Sequence, residues 1–78
     1  MKQLMNFTEI VKLYAEFFSI HIVETLKTID LCVENEIIGR LNFDDPTVFE
    51  YKQKHRWNKC KTTDLMTLIV HSCPLHGE

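Results

Sequence analysis

Residues 27–43, KTIDLCVENEIIGRLNF, constrain the fold more than any other stretch of this chain. Ile29, Leu31 and Val33 alternate with polar residues. After a polar Glu34-Asn35-Glu36 turn, Ile37, Leu41 and Phe43 continue an apolar face with Gly39 among them. A period of two is the signature of a half-buried strand, and two such segments about a short polar turn read as a hairpin. The competing reading is one long helix from Phe7 to Val33, because Leu26, Ile29 and Val33 also fit helical spacing; it would make the protein an all-α helical bundle. The hairpin is preferred because the second segment alternates as well as the first.

Upstream of it the period changes. Asn6 is placed to cap a helix, with Glu9 three residues later as in a capping box and Met5 and Ile10 spaced as a hydrophobic staple. Ile10, Val11, Tyr14, Phe17, Phe18 and Ile22 recur at three and four, forming one apolar stripe, with Lys12 and Glu16 opposite. His21 falls among these apolar residues and reads as a partly buried histidine bonded to backbone. Downstream, Asp45-Pro46 looks like the cap and first position of a second helix, with Val48, Tyr51 and His55 along its inner face. The compact apolar run TTDLMTLIVHSC, closed by Pro74, has the length of a buried strand, with a short helix as the alternative. The expected fold is therefore α+β, a small two-layer α-β-β-α-β domain with helices on one face of a short sheet.

Seventy-eight residues suit a single domain spanning 1–78, since a chain this short removes only about 60% of its unfolded surface on folding and cannot divide that core. An apolar share of 45% with 26% charged residues well mixed through it argues against disorder. Three cysteines, Cys32, Cys60 and Cys73, are too few and too dispersed for a secreted disulfide scaffold and point to a reducing, cytoplasmic setting. Asn6, Thr8 and Glu9 interrupt the opening residues where a signal peptide would need an apolar run, and FFSIHIV is too short to cross a bilayer. No membrane association is expected.

Charge is distributed unevenly. Residues 1–50 hold four Lys/Arg and nine Asp/Glu, whereas residues 51–61 hold five Lys/Arg and no acid. In that strip Lys52, Lys54, Arg56, Lys59 and Lys61 are interleaved with Tyr51, His55 and Trp57. Trp, Tyr and Arg anchor protein interfaces, and the same mixture serves phosphate contact plus base stacking. Lysines near a helix end complementing its dipole are the plainer account of the same residues. The acidic remainder of the chain repels phosphates, which favours an acidic protein surface as partner over nucleic acid.

His55, Cys60, His71, Cys73 and His76 cluster in the last 24 residues. Zinc needs three or four N or S ligands converging tetrahedrally, and Cys60, His71, Cys73 and His76 are the set this sequence offers. Neither half is a C-x-x-C, and buried cysteine is commonly a plain small hydrophobe, so the expected cofactor is none, with zinc the minority reading. A Cys73 nucleophile with His71 or His76 as base would need a concave site that a domain this small scarcely provides. No Gly-rich phosphate loop, G-x-S-x-G or H-E-x-x-H occurs, and no catalytic residue is assigned.

The function expected on these grounds is non-enzymatic: stoichiometric binding of a macromolecular partner, another protein first, as an inhibitor, adaptor or regulatory subunit of the kind phages and mobile elements encode. The contact residues are Tyr51, Lys52, Lys54, Arg56, Trp57, Lys59 and Lys61. A nucleic-acid-binding module using the same strip is the alternative, and a zinc-stabilised small domain the third. Phe17 and Phe18 adjoin and cannot both face one core line, so one of them is expected at the surface, where it could serve a partner or a homodimer.

Overall fold

The computed structural model describes residues 6–75. In chain order the elements are α1 (Phe7–Phe17), β1 (His21–Glu24), β2 (Thr28–Val33), β3 (Glu36–Asn42), β4 (Val48–Gln53), β5 (Arg56–Lys61) and α2 (Asp64–His71). The five strands form one antiparallel meander in the order β1-β2-β3-β4-β5. The α+β class holds, with both helices on one face of the sheet, and an all-helical bundle is excluded. The element order differs from expectation: it is α-β-β-β-β-β-α.

The N-terminal helix begins as its cap predicts, with Asn6 Oδ1 accepting from Glu9 N–H at 2.8 Å; the Met5 half of the staple lies outside the described residues. The helix stops at Phe17, so Ile22 and His21 belong to β1, and His21 is exposed rather than partly buried. Ser19 takes a left-handed φ of 59°, and Ile20 N–H reaches back to Ala15 O at 2.7 Å. Ser72 ends α2 the same way, with φ 56° and Cys73 N–H on Leu68 O at 3.0 Å. Each helix is thus closed by a serine in the conformation glycine usually supplies.

Two segments exchange roles relative to the sequence expectation. Asp45-Pro46 opens a turn and not a helix: Val48 N–H donates to Asp45 O at 3.3 Å, closing a four-residue turn with Pro at its second position, and Thr47 Oγ1 donates to Asp45 Oδ1 at 3.0 Å. Beyond it VFEYKQ and RWNKCK pair as β4 and β5 about Lys54 and His55, whose φ values of 53° and 69° are those of a two-residue I′ turn. Glu34 and Asn35, at 52° and 69°, make the matching turn of the expected β2–β3 hairpin. Conversely, the stretch for which a final strand is preferred takes the alternative, a short helix, and is α2. Leu65, Leu68 and Ile69 are spaced three and four apart, a helical stripe that an uninterrupted apolar run conceals.

One apolar core lies between helices and sheet, made by Ile10, Val11, Tyr14 and Ala15 of α1, Ile29 and Leu31 of β2, Leu41 of β3, Phe49 of β4 and Leu65 of α2. The ring of Phe49 lies across Gly39, where a Cβ would approach Phe49 Cζ to 2.7 Å; glycine is required there by contact. Tyr14 packs on Phe18 and Phe49, and its hydroxyl accepts from Leu75 N–H at 2.8 Å, so the segment after α2 is tied back into the core. Thr62, fully buried, donates from Oγ1 to Pro46 O at 2.6 Å and from N–H to Thr47 O at 2.9 Å, joining the two turns at the far end of β4 and β5.

Candidate binding surface

Strand alternation divides the basic-aromatic strip. Phe49 and Cys60 are paired and face the helices, so Tyr51, Arg56 and Asn58 share their side of the sheet. Lys52, Trp57, Lys59 and Lys61 point to the opposite face, and Lys54 lies in the turn. The contact set expected as one surface is therefore two: Tyr51 is half-buried against the core edge, while Trp57, 48% exposed, stands with three lysines on the face that neither helix covers.

On that open face the pairing register aligns a row across the sheet: Val23, Asp30, Arg40, Glu50 and Lys59, one from each strand in order. Its charged members alternate in sign. Arg40 Nε donates to Asp30 Oδ1 at 2.9 Å, and although Asp30 is only 8% exposed its charge is thereby matched. The bond to Asp30 raises the Arg40 guanidinium further above its ordinary value. In the neighbouring row Lys52 crosses to Glu36 at 2.6 Å and, through that hydrogen bond, holds the Glu36 carboxyl below the usual carboxylate range. Among the described residues neither Lys59 nor Lys61 has an ion-pair partner. After internal pairing the positive charge on the open face thus stands at β5, beside Trp57. Asp30, Arg40 and Glu50 were not singled out in the sequence, although their alternation with Ile29, Leu31, Leu41 and Phe49 carries the signal.

Lys59 also borders a surface hollow of about 170 Å3 lined by Asn42, Asp44, Asp45, Val48 and Glu50. Four acids or amides next to one lysine make this end of the face bipolar.

Among the described residues the terminal Cys/His set does not converge. Cys60 faces the helical layer from β5, His71 ends α2, Cys73 is exposed beyond it, and His76 lies outside the described residues. His71 and Cys73 do not share a strand face, because the segment is helical up to His71. Among the described residues no three of His, Cys, Asp and Glu are grouped to hold a metal ion. Burial pushes the Cys60 thiol up to about 11, so without an activating group it is protonated at neutral pH and is no ready nucleophile. Cys32 is half-buried and paired with exposed His21 on the open face, the outer position its alternation predicts.

Of the adjoining phenylalanines, Phe18 packs against the core and Phe17 is 50% exposed. Among the described residues no helix is long and apolar enough to cross a membrane. Comparisons of the chain with protein-family models, curated proteins and solved structures return no match.

Proposed function

We propose that this protein acts without catalysis, by stoichiometric binding of another protein through the open face of its sheet at β4 and β5. The observation that carries this reading is the half-exposed Trp57, across from Lys52 and flanked along its strand by Lys59 and Lys61. A large aromatic side chain presented by a rigid strand loses little conformational freedom on contact and desolvates well, as interface anchors do. The unpaired lysines raise the encounter rate with an acidic surface and orient it. Asp44, Asp45 and Glu50 beside Lys59 favour a protein over a nucleic-acid backbone. Tyr51 packs against the core edge and Arg56 lies exposed on that same other face, and neither is assigned to the contact.

The test is affinity capture from extract of cells that carry the gene, comparing the native chain with Trp57→Ala and Lys59→Glu, each first shown to be folded by circular dichroism. A single protein should be recovered in stoichiometric amount, resist nuclease, and fall at least about tenfold with either substitution, the loss expected for a hot-spot residue. Equal recovery by both variants, or recovery that disappears with nuclease, would overturn the reading.

A further inference from the structure

β5 is an edge strand, and its outward backbone groups can be assigned. Thr62 N–H donates inward to Thr47 O at 2.9 Å, and Lys61 is paired with Val48. Hydrogen-bonded and non-hydrogen-bonded pairs alternate along an antiparallel ladder, so Cys60, Asn58 and Arg56 also bond toward β4. The N–H and C=O groups of Trp57, Lys59 and Lys61 therefore point away from the sheet. These are the same three residues whose side chains lie on the open face. From Arg56 to Lys61 every residue but the half-buried Cys60 is exposed, Trp57 to 48%, and no strand pairs with the outer edge among the described residues.

We propose that this edge accepts an extended acidic segment of the partner protein as a sixth strand, with carboxylates opposite Lys59 and Lys61 and an apolar or aromatic side chain beside Trp57. This rests on the binding reading given above and names the chemistry of its partner. In strand addition the main-chain bonds supply affinity and alternate side chains supply selectivity. Edge lysines ordinarily discourage pairing with stray strands, and Arg56, Lys59 and Lys61 would meet their own copies if two β5 edges came together, which opposes self-pairing. An acidic strand reverses the sign of both terms. The other edge, β1, offers only four residues, and its Glu24 is held by Lys12 of α1 at 3.4 Å.

The isotope-labelled native chain, titrated at low salt with a synthetic peptide alternating Glu with Val, Thr and Tyr, tests this by residue-resolved amide exchange. Exchange at Trp57, Lys59 and Lys61 should slow by about tenfold, while Asn58 and Cys60, already bonded to β4, should not change. The same peptide with Lys for Glu, or N-methylated at alternate amides, should bind at least about tenfold more weakly. Absence of binding by the Glu peptide would overturn the strand addition. So would binding that shifts Lys52, Arg40 and the Trp57 indole without protecting the edge amides; that outcome leaves capture of a partner by the open face standing. Protection that grows with protein concentration in the absence of peptide would identify a second copy as the occupant and also overturn the proposal.

Discussion

The two faces of this sheet are written by alternate residues of the same strands, yet they obey different rules. On the helix-covered face Leu31, Gly39, Leu41 and Phe49 meet so closely that one added methyl group at Gly39 would displace the Phe49 ring. One residue along in each strand, Asp30, Arg40, Glu50 and Lys59 form a row of alternating charge with solvent on one side. Packing fixes the first set; in the second, the buried Asp30 is fixed by its pair with Arg40, and Glu50 and Lys59 have no ion-pair partner among the described residues. The sharpest way to break this comparison is to delete neighbours in β4. Phe49→Ala should cost about 3–5 kcal/mol, a large part of what a small domain has, whereas Glu50→Ala should stay within about 0.5 kcal/mol. Urea denaturation of both variants checks it, and similar costs would show that the open face is also structural.

Titration separates the faces at a smaller scale. On the covered side burial raises the Cys60 thiol from an ordinary 9.0 to about 11 and raises the Tyr14 hydroxyl above its ordinary 10.0. Both groups are neutral in the fold and ionise more readily unfolded. Their contribution is complete below about pH 9 and is lost as pH rises through the folded values. Glu36 shifts the other way because Lys52 stabilises its carboxylate: the benefit is present above the ordinary 4.5 and fades as pH falls through its lowered folded value. Alkaline unfolding should therefore report on the covered face, and Cys60→Ala should shift the alkaline midpoint upward. The acid limb should respond to Lys52→Gln and to salt, because that pair is exposed. A Cys60→Ala variant with an unchanged alkaline limb would place the thiol outside the packed layer.

How far the sequence disclosed this arrangement depends on how far local signals agreed with tertiary ones. The cap at Asn6 and the hairpin at residues 28–42 were legible because cap chemistry and alternation are local. Asp45-Pro46 misled because the same two residues suit a helix start and a type I turn; what decides between them is Phe49 and Tyr51 alternating beyond, with Phe49 drawn to the core by Gly39. The Lys54-His55 turn carries no glycine or Asn-Gly pair to announce it, and Glu34-Asn35 resembles it in this respect. The run ending at His71 concealed a helix because its apolar residues outnumber its polar ones, and period is unreadable without contrast. The basic strip was visible as composition. Its division between two faces was not, since that required knowing that residues 51–61 were strands.

A small effect on stability should accompany the largest effect on binding. Trp57 lies on an edge strand with half its surface in water, and Lys59 and Lys61 have no ion-pair partner among the described residues, so truncating any of the three removes little that the fold uses. Trp57→Ala should lower the unfolding free energy by about 1 kcal/mol, since half of the side chain is already covered. If the open face is the contact, the same substitution should weaken partner binding by about 2 kcal/mol, roughly thirtyfold. Thermal unfolding measured beside binding on the same preparations distinguishes the two. A Trp57→Ala chain that loses stability and binding in equal measure would mean that Trp57 braces the hairpin from its far side. The comparison between a packed face and a recognising face would then have to be redrawn along β5.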